Sequence, residues 1–586
     1  VRFLPVVLCG FFIAPVATAD ARTHITPRLA AALVADSAGG NILCMVYLTD
    51  RGDSPAKYAP RELVTPRALQ RRAHVLPPGG LVDDDDLPLN PVYVSTLAAH
   101  VAQVRNLLKW FNAVSVAATP AQIRALAELP FVREVDLVGR YRRRSGVETF
   151  TEAPQSPSLA RLTAGIDYGE SLHALAMIHV PEVHATGNHA EGIIIGMLDN
   201  GVRLLSHTAL DSIRPRILAT HDFVDHKVSV VPNNPDPSFG AHGVFTLSAI
   251  GGFKPGRIVG PAFGASFILA RTENDSSETP IEEDNWAAAI QWAESLGVQV
   301  TSTSLGYLAF DSGYVSLTWE DMNGRTAHIT QAAAKAVRKG VVVVNSAGNN
   351  RFDPSHNTLD APADGDSVIA VGAVNPSGGR SGFSSVGPTT SVPPHIKPDV
   401  MAQGEDVAVA SAVNDTAYGA VGGTSLSCPQ VAGVAALILR AHPDATPYDV
   451  MTRLHATASN ASAPNNLIGW GIANAVAAVV YPEIWAPPAA NSFTVSSRPN
   501  PFTSGTVLSF LLPEPSQVSI TVYDILGREV KDLSESGAGF LTGNIRWSGD
   551  NAAGARVAAG VYFIRFSATG ASGAVRTQVS KVVLMK

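Results

Sequence analysis

Cysteine is scarce in this chain of 586 residues, which contains three, at positions 9, 44 and 428. Cys9 lies in an apolar N-terminal stretch and Cys44 in an N-terminal module. We expect both segments to be removed, which leaves Cys428 alone in the remainder. A disulfide framework is therefore excluded. If the protein is exported, it must depend on a large apolar core or on bound ions.

Charge is scarce as well. Charged residues make up 16% of the chain, the net charge is -7, and there is no long basic run. These features argue against nucleic acid as the main partner. A hydrophobic content of 46% is typical of a folded protein rather than a disordered one. The length indicates more than one domain.

Long apolar runs are missing except for one near the N-terminus. Arg2 precedes an apolar stretch at 3–13, and small residues follow at 17–19. We expect residues 1–19 to be a signal peptide that is cleaved before Asp20, with a short buried helix as the alternative. The stretch is too short to span a bilayer as a helix.

Residues 40–140 predict a small α+β unit. Its predicted elements are strands at 42–48, 111–118 and 131–138 and helices at 66–74, 92–108 and 120–129. An exposed, basic linker at 141–164 follows, which suits a removable pro-domain; a permanent N-terminal domain is the alternative. For the acidic run at 83–86 we expect a solvated loop rather than a calcium site.

Residues 165–482 alternate apolar strands with helical patterns. The predicted strands lie at 192–198, 265–270, 297–304, 340–347 and 367–374, and the clearest helical patterns lie at 285–296 and 329–339. Strands that are apolar throughout and alternate with helices predict a doubly wound parallel sheet. In such sheets, sites form at the carboxyl ends of the strands.

A linker rich in Pro and Ala at 483–492 precedes a last unit at 493–586. Strand patterns at 506–512, 517–525, 543–549, 560–568 and 577–585, separated by Gly, Asp and Asn turns, predict a small all-β sandwich there.

The segment GTSLSCP at 423–429 precedes a strong helical pattern at 431–440. A serine at a helix N-terminus lies among free amides and the positive end of the helix dipole, which favour a developing oxyanion. Such a serine needs a base before it can act as a nucleophile. By itself, a serine before an Ala-rich helix is usually only a helix cap.

A carboxylate and a histidine occur in matching settings. Asp199 directly follows the predicted strand at 192–198, and His242 opens a helical stretch. The order Asp199, His242, Ser425 is one of the known orders of a catalytic triad. Asn349 follows another predicted strand, where its amide can stabilise an oxyanion; losing such a donor costs about 100- to 1000-fold in rate.

These motifs resemble the subtilisin family over roughly residues 165–482. The family's triad motifs are matched by DNG (199–201), HG (242–243) and GTSLSCP (423–429), and its oxyanion asparagine by Asn349. The segments FSSVGP (383–388), KPDV (397–400) and GWGIANA (469–475) also match. The resemblance implies the subtilisin fold and an acyl-enzyme endopeptidase mechanism that requires no cofactor. It also implies that a substrate-binding strand pairs with the peptide backbone. The implied substrate-binding residues are Ser304, Leu305, Gly306, Ala347 and Gly348.

The sequence departs from the family pattern at three positions. Asn200 replaces Ser or Thr, and we expect its side chain to donate to the Asp199 carboxylate. Val244 replaces Thr, and Tyr307 replaces a second Gly, which predicts a bulkier pocket rim.

Two further residues near these motifs are expected to be structural. His207 lies shortly after Asp199, and we interpret it as a structural residue outside the triad. Cys428 is expected to be a small buried packing residue.

Resemblances extend to both ends of the chain. Residues 40–140 resemble the subtilisin propeptide, a ferredoxin-like inhibitor, which implies autocatalytic removal between about 140 and 170. The C-terminal unit resembles the immunoglobulin-like sorting domain of type IX secretion. NPF (500–502), VYDILGR (522–528), GVYF (560–563) and KVVL (581–584) carry that resemblance. It implies the type IX machinery as a partner and a final location outside the cell or on its surface; an ordinary accessory sandwich is the alternative.

Many members of the family bind structural calcium through scattered loops, and this sequence assigns no ligands for it. The main alternative function is a catalytically weak surface-binding or adhesive protein on the same scaffold. A serine hydrolase acting on esters is a second alternative, which the peptide-binding strand argues against.

Overall fold

The computed structural model describes residues 24–35, 40–138, 151–152, 162–163, 165–275, 281–308, 316–481, 494–498, 502, 505–534, 540–570 and 575–585. The predicted signal peptide, the linker at 483–492 and nearly all of the linker at 141–164 lie outside these ranges. The chain divides into two compact units, Val1–Tyr481 and Pro482–Lys586.

The first unit begins with an N-terminal module. Its elements are α1 (Pro27–Ala35), β1 (Ile42–Leu48), α2 (Pro60–Leu63), α3 (Pro66–Arg72), α4 (Pro91–His100), β2 (Gln103–Leu108), β3 (Ala113–Ala118), α5 (Pro120–Ala127) and β4 (Val132–Leu137). The four strands form an antiparallel sheet in the order β2-β3-β1-β4. Two β-α-β units arranged in this order are the ferredoxin-like pattern, as the resemblance implied.

The predicted helix at 92–108 is wrong in its second half. Helix α4 ends at His100, and residues 103–108 form β2, which pairs with β3. The apolar residues of 92–108 fit a helical period, but hydrogen bonding along the edge of β3 outweighs the local preference.

The remainder of the first unit contains the main sheet. Its helices are α6 (Leu172–Met177), α7 (Val180–His184), α8 (Ala241–Gly251), α9 (Ile281–Leu296), α10 (His328–Arg338), α11 (Thr424–Ala441), α12 (Pro447–Thr457) and α13 (Ala475–Val480). Its strands are β5 (Thr151–Glu152), β6 (Leu162–Thr163), β7 (Ile166–Asp167), β8 (Ile194–Asp199), β9 (Ile217–Asp222), β10 (Phe253–Lys254), β11 (Ile258–Val259), β12 (Ser266–Arg271), β13 (Val300–Thr303), β14 (Val342–Ser346), β15 (Ile369–Val374), β16 (Val400–Gln403), β17 (Val407–Ala410) and β18 (Tyr418–Val421).

Seven of these strands form one parallel sheet in the order β16-β15-β14-β13-β8-β12-β9. Alternate residues of β8 face opposite layers. Ile195 and Met197 pack with α8 and α11, whereas Ile194 and Leu198 pack with α9 and α10. Helices therefore cover both faces, and the predicted doubly wound parallel sheet is confirmed.

Helix α11 is long and apolar enough to cross a membrane, by length and composition alone. Almost all of it is buried inside the protein, where it packs against the sheet. It is therefore the core helix of the domain.

The sheet of the N-terminal module packs on α9 and α10. Met45, Leu108 and Trp110 of the module share one apolar cluster with Trp286 and Ile290 of α9. Polar contacts border this cluster, since Asn106 Nδ2 donates to Asn285 Oδ1 at 2.8 Å and Gln291 Nε2 donates to the carbonyl of Leu107 at 2.6 Å.

Buried charges lie beneath the same module, and we call Arg71, Arg72, Asp86, Glu294 and Lys339 the junction cluster. The Arg72 guanidinium bonds to Asp86 Oδ1 and Oδ2 at 2.8 and 2.7 Å and to Glu294 Oε1 and Oε2 at 2.8 and 2.7 Å. Arg71 also pairs with Glu294, and Lys339 Nζ lies 3.3 Å from Asp86. All five side chains are buried.

The expected solvated loop at 83–86 is therefore wrong for its last member. Asp86 is 2% exposed because Arg72 and Lys339 face it. Burial opposes ionisation of Asp86, but the bonds from Arg72 outweigh this effect and hold the pKa of the carboxyl well below its usual range.

The second unit is all β. Its strands are β19 (Thr494–Arg498), β20 (Thr506–Tyr523), β21 (Glu529–Asp532), β22 (Phe540–Trp547), β23 (Gly560–Gly570) and β24 (Val575–Leu584). Sequence patterns predicted two strands where the structure has the single long β20. The first part of β20 pairs with β19 and the second part with β21 and β23, while β22 pairs mainly with the first. Phe502, Trp547 and Leu584 belong to the apolar core of this unit.

Candidate active site

Three adjacent strands of the main sheet end at the candidate site. Asp199 is the last residue of β8, Ser304 follows β13, and Asn349 lies three residues after β14. Because neighbouring parallel strands end at the same edge, these residues of distant sequence positions come together.

Asp199 and His242 form a buried pair. His242 Nδ1 lies 2.6 Å from Asp199 Oδ1, and the two residues are 5% and 3% exposed. Thr246 Oγ1 donates to Asp199 Oδ2 at 2.9 Å. His242 and Thr246 are four residues apart on α8, so they lie on the same face and both reach the carboxylate.

The side chain of Asn200 bonds to partners other than the expected Asp199 carboxylate. Its backbone N–H donates to Asp199 Oδ1 at 2.8 Å, whereas its side-chain amide donates to Asp275 Oδ1 at 2.6 Å. Its side-chain oxygen accepts from the backbone N–H of Gly243 at 2.9 Å. The predicted side-chain bond to Asp199 is therefore wrong: Asn200 satisfies a backbone donor at the start of α8, which has no helical partner there. The second side-chain donor to Asp199 is Thr246.

Gly243 allows α8 to start close to the end of β8. A Cβ at this position would collide with the carbonyl oxygen of Gly201. Val244 is fully buried in the core on the α8 side of the sheet, where its apolar side chain suits the surroundings.

Ser425 is the second residue of α11 and is 2% exposed. Pro429, four residues later, has no N–H to offer to the Ser425 carbonyl. Ser304 Oγ donates to that carbonyl instead, at 2.7 Å. The side chain of Ser304, predicted as a substrate-binding residue, thus anchors the first turn of the helix that carries Ser425.

The beginning of α11 packs against the middle of α8. Leu426, next to Ser425, packs in one apolar cluster with Ala249 and Phe245 of α8. Thr424, the other neighbour of Ser425, bonds to Asn349, which places Ser425 at the carboxyl edge of the sheet, where Asp199 and its partner His242 also lie.

Cys428 joins the beginning of α11 to the end of β13. Its Sγ lies 3.3 Å from the carbonyl of Thr303 at the end of β13, and burial raises the pKa of the thiol to about 12. Cys428 is thus the small buried residue that we expected.

Asn349 is joined directly to the turn that carries Ser425. Its side-chain oxygen accepts from the Thr424 backbone N–H and from the Thr424 hydroxyl, both at 3.0 Å. Since two donors hold the oxygen, the amide NH₂ is the end of the side chain that faces away from Thr424. Gly348 before it has φ of +110°, which favours glycine.

The remaining predicted substrate-binding residues border this edge. Leu305 and Ala347 are buried, and Gly306 is partly exposed. Tyr307 does not form an exposed rim: it is 2% exposed, and its hydroxyl donates to Glu273. His207 lies outside this group of residues, since its Nε2 contacts the Ala417 carbonyl at 2.8 Å.

Metal-ligating groups are not gathered at this site. In the part of the chain that the structure describes, no three His, Cys, Asp or Glu side chains come together as they would around a metal ion.

Two residues near the site were not predicted from the sequence. They are Thr246, which bonds to Asp199, and Asp360, which packs against Gly306 and Gly348. Spacing on a helical wheel would have indicated Thr246, but only tertiary contacts bring in Asp360.

Together these residues put a buried Asp–His pair and a serine at the start of a helix at the carboxyl edge of a parallel α/β sheet, an arrangement typical of serine hydrolases. Comparison with known proteins is consistent with this class. The model of the "Subtilase family" matches residues 190–471, and that of the "Peptidase S8 propeptide domain, Bacteroidota" matches residues 43–152.

Several curated proteins are similar to this chain. Subtilisin DY of Bacillus licheniformis is 32% identical over 288 residues, which cover 49% of this chain and 91% of that protein. Subtilisin of Bacillus pumilus is 32% identical over 49% of this chain and 91% of its own length. Subtilisin NAT of Bacillus subtilis subsp. natto is 32% identical over 50% of this chain and 68% of its own length.

Among solved structures, MycP1 with its N-terminal propeptide removed is 24% identical, with a TM-score of 0.43, over 54% of this chain and 98% of that one. The sequence matches are sufficient by themselves: the chain belongs to the subtilase family and carries a propeptide domain of that family.

Proposed function

We propose that this chain is a secreted serine endopeptidase, made as a zymogen, with Asp199, His242 and Ser425 as its catalytic triad. The observation that carries the proposal is the 2.6 Å contact between His242 Nδ1 and Asp199 Oδ1 at the carboxyl edge of the sheet, where the helix bearing Ser425 begins.

Each side chain has a role in this mechanism. Asp199 accepts a hydrogen bond from the Nδ1–H of His242, which leaves Nε2 as the base for the Ser425 hydroxyl. Ser425 Oγ attacks the carbonyl carbon of the scissile peptide while His242 takes the proton of the Ser425 hydroxyl. His242 then protonates the departing amine, and water hydrolyses the acyl-enzyme by the reverse order of proton transfers.

The oxyanion of the tetrahedral intermediate needs donors that are already in position. The Asn349 amide supplies one, because the bonds from Thr424 to its oxygen fix its orientation. The N-terminus of α11 adds the positive end of the helix dipole beside Ser425.

Peptide binding along residues 304–306 is supported by the backbone geometry. In the described residues, the N–H and C=O groups of Gly306 have no backbone partner, so a peptide strand can pair with them. Ala347 and Gly348 form the facing segment. No cofactor takes part in the chemistry.

We further propose that residues 40–140 inhibit the enzyme until they are cleaved off between about 140 and 170. The propeptide family match and the packing of the module on α9 and α10 support this role. Removal of the module turns the zymogen into the active enzyme.

For export, we propose that residues 1–19 direct secretion and that residues 493–586 are an immunoglobulin-like sandwich read by the type IX secretion machinery. The antiparallel strands and the aromatic core of the second unit support the sandwich.

Deletion of 493–586 tests the sorting role. We expect the truncated protein to stay inside the outer membrane, as measured by cell fractionation. Secretion that is unchanged by the deletion would show that residues 493–586 are not the sorting signal.

The test of the enzymatic proposal is labelling of purified mature protein with a fluorophosphonate probe, beside a Ser425→Ala variant, with the adduct mapped by mass spectrometry. We expect an adduct on Ser425 that is absent from the variant, and digestion of casein by the unmodified protein only. Folded, propeptide-free protein that forms no adduct would show that the scaffold is not an active peptidase.

A further inference from the structure

Asp360 places a carboxylate between the two segments that border the substrate site. A Cβ at Gly306 would lie 2.6 Å from Asp360 Cβ and 3.1 Å from its Oδ2, and a Cβ at Gly348 would collide with that same oxygen. Both segments therefore turn a residue without a side chain toward Asp360.

Few groups near the Asp360 carboxylate stabilise its negative charge. Asn350 Nδ2 donates to Asp360 Oδ1 at 2.5 Å, which is a neutral partner. Within the described ranges, no lysine, arginine or histidine forms an ion pair with Asp360. Burial raises the pKa of Asp360 to about 7, and the bond from Asn350 offsets this rise only in part.

The backbone around Asp360 is firmly held. Residue 361 pairs with Tyr307 through two backbone hydrogen bonds of 3.0 Å, and the Asp360 N–H bonds to the Ala347 carbonyl at 3.3 Å. The backbone that carries the carboxylate is thus bonded to both bordering segments, and Oδ2 is the oxygen that faces the two glycines.

A side chain that enters between the glycine-bearing segments meets a partly buried carboxylate. An apolar side chain would shield that charge from water without pairing it, which is unfavourable. A cationic side chain would pair with it in a region of low dielectric, where charge-assisted bonds are strong.

From this geometry we propose that Asp360 selects lysine or arginine as the residue on the acyl side of the cleaved peptide bond. The inference rests on the proposed peptidase function and names the substrate class of that site.

The experiment uses peptide substrates that differ only at the acyl-side residue. Lysine is compared with norleucine and arginine with citrulline, since each partner keeps the shape and lacks the charge; an alanine peptide reports activity that needs no pocket contact. Values of kcat/KM are measured for the mature wild-type enzyme, for Asp360→Asn and for Asp366→Asn. Asp366 is exposed and lies six residues further along the chain, so Asp366→Asn is a matched loss of one carboxylate.

We expect the wild type to prefer lysine over norleucine and arginine over citrulline by at least about tenfold, the size of one charge-assisted pair. Asp360→Asn keeps the oxygen that accepts from Asn350, and it should abolish the preference. Asp366→Asn should keep the preference.

Equal rates on the charged and uncharged partners in the wild type would overturn the inference, whether or not the Asp360 variant folds. If the alanine peptide is cleaved and Ser425 is labelled, such a result leaves the peptidase function standing. Failure to cleave any peptide, together with no adduct on Ser425, would instead overturn the proposed function and this inference with it.

Discussion

The edge of the main sheet and the junction under the N-terminal module both bury charged side chains, but they stabilise them in different ways. At the junction, Arg72 is paired with the two carboxylates of Asp86 and Glu294. At the sheet edge, Asp199 is held by a histidine, a threonine hydroxyl and its neighbour's backbone N–H, and no Arg or Lys in the described ranges pairs with it.

The difference fits what each region has to do. Charges that hold two parts of the chain together are most stable when permanent partners neutralise them, since a buried charge without a partner is costly. In the proposed mechanism Asp199 stabilises a transient imidazolium, and a carboxylate does so best when no permanent cation already neutralises it. Asp360 is a third case, because its one side-chain donor, Asn350, is neutral.

The largest expected effect is the loss of folding free energy when the ion pairs of the junction cluster are removed. Arg72→Met leaves Asp86 and Glu294 buried without their main partner, which should cost about 3–5 kcal/mol. We would measure hydrogen-exchange protection of α3 in the full chain with Ser425→Ala, so that the module is retained.

The matched control is Arg28→Met, because Arg28 pairs with Asp136 while its own side chain is 52% exposed. That change should cost about 0–1 kcal/mol, as surface pairs do. Equal losses for the two variants would show that the junction cluster contributes no more than a surface pair.

A smaller loss of stability is expected when acid protonates His328, whose ring contacts that of Phe111 in the module, with ring centroids 3.9 Å apart. Burial, with Arg28 and Lys335 nearby, lowers the pKa of His328 to about 4. Because the folded pKa lies below the free value, the stabilisation is full above pH 6.5 and is lost as the pH falls toward 4.

At pH 5 this loss should be about 2 kcal/mol relative to pH 7. Comparing urea unfolding at the two pH values for Ser425→Ala with and without His328→Phe measures it. A pH dependence that is unaltered by His328→Phe would assign the acid sensitivity to other groups.

The smallest effect is expected at the sheet edge itself. Thr246→Val removes the 2.9 Å bond to Asp199 while keeping the shape of the side chain. A bond to a charged group contributes about 1.5 kcal/mol, so kcat/KM should fall roughly tenfold.

Thr246→Ser should restore the rate, because it restores the hydroxyl. The pH profile of kcat/KM would separate a positioning role from a packing role, since only weaker support of the Asp199 charge changes how readily His242 takes up a proton. If Thr246→Ser is as slow as Thr246→Val, packing of the methyl group is what matters.

Much of the fold was predictable from the sequence, because strands buried on both faces are apolar throughout and stand out between helices. The predictions failed where pairing with a neighbour decided the outcome. The segment 103–108 fits a helical period but forms β2 against β3. The strand patterns on either side of 513–516 predict a break, whereas β20 is continuous.

Asp199, His242, Ser425 and Asn349 could be singled out from motif and order alone, and their catalytic roles remain proposals. The roles of Asn200 and Thr246 could not be assigned in this way. Asn200 follows Asp199 directly, yet its side chain turns to Gly243 and Asp275, while Thr246 reaches the carboxylate across a helical turn.

The sequence by itself determined the alternation of buried strands and helices, the three motifs and their order, since each depends on residues close together along the chain. Only the tertiary structure decided which charges meet. Arg72 bonds to Glu294, which lies 222 residues further along the chain, and Asp360 lies between Gly306 and Gly348. The physical reason is that electrostatic and packing contacts depend on distance in space, which a linear pattern does not contain.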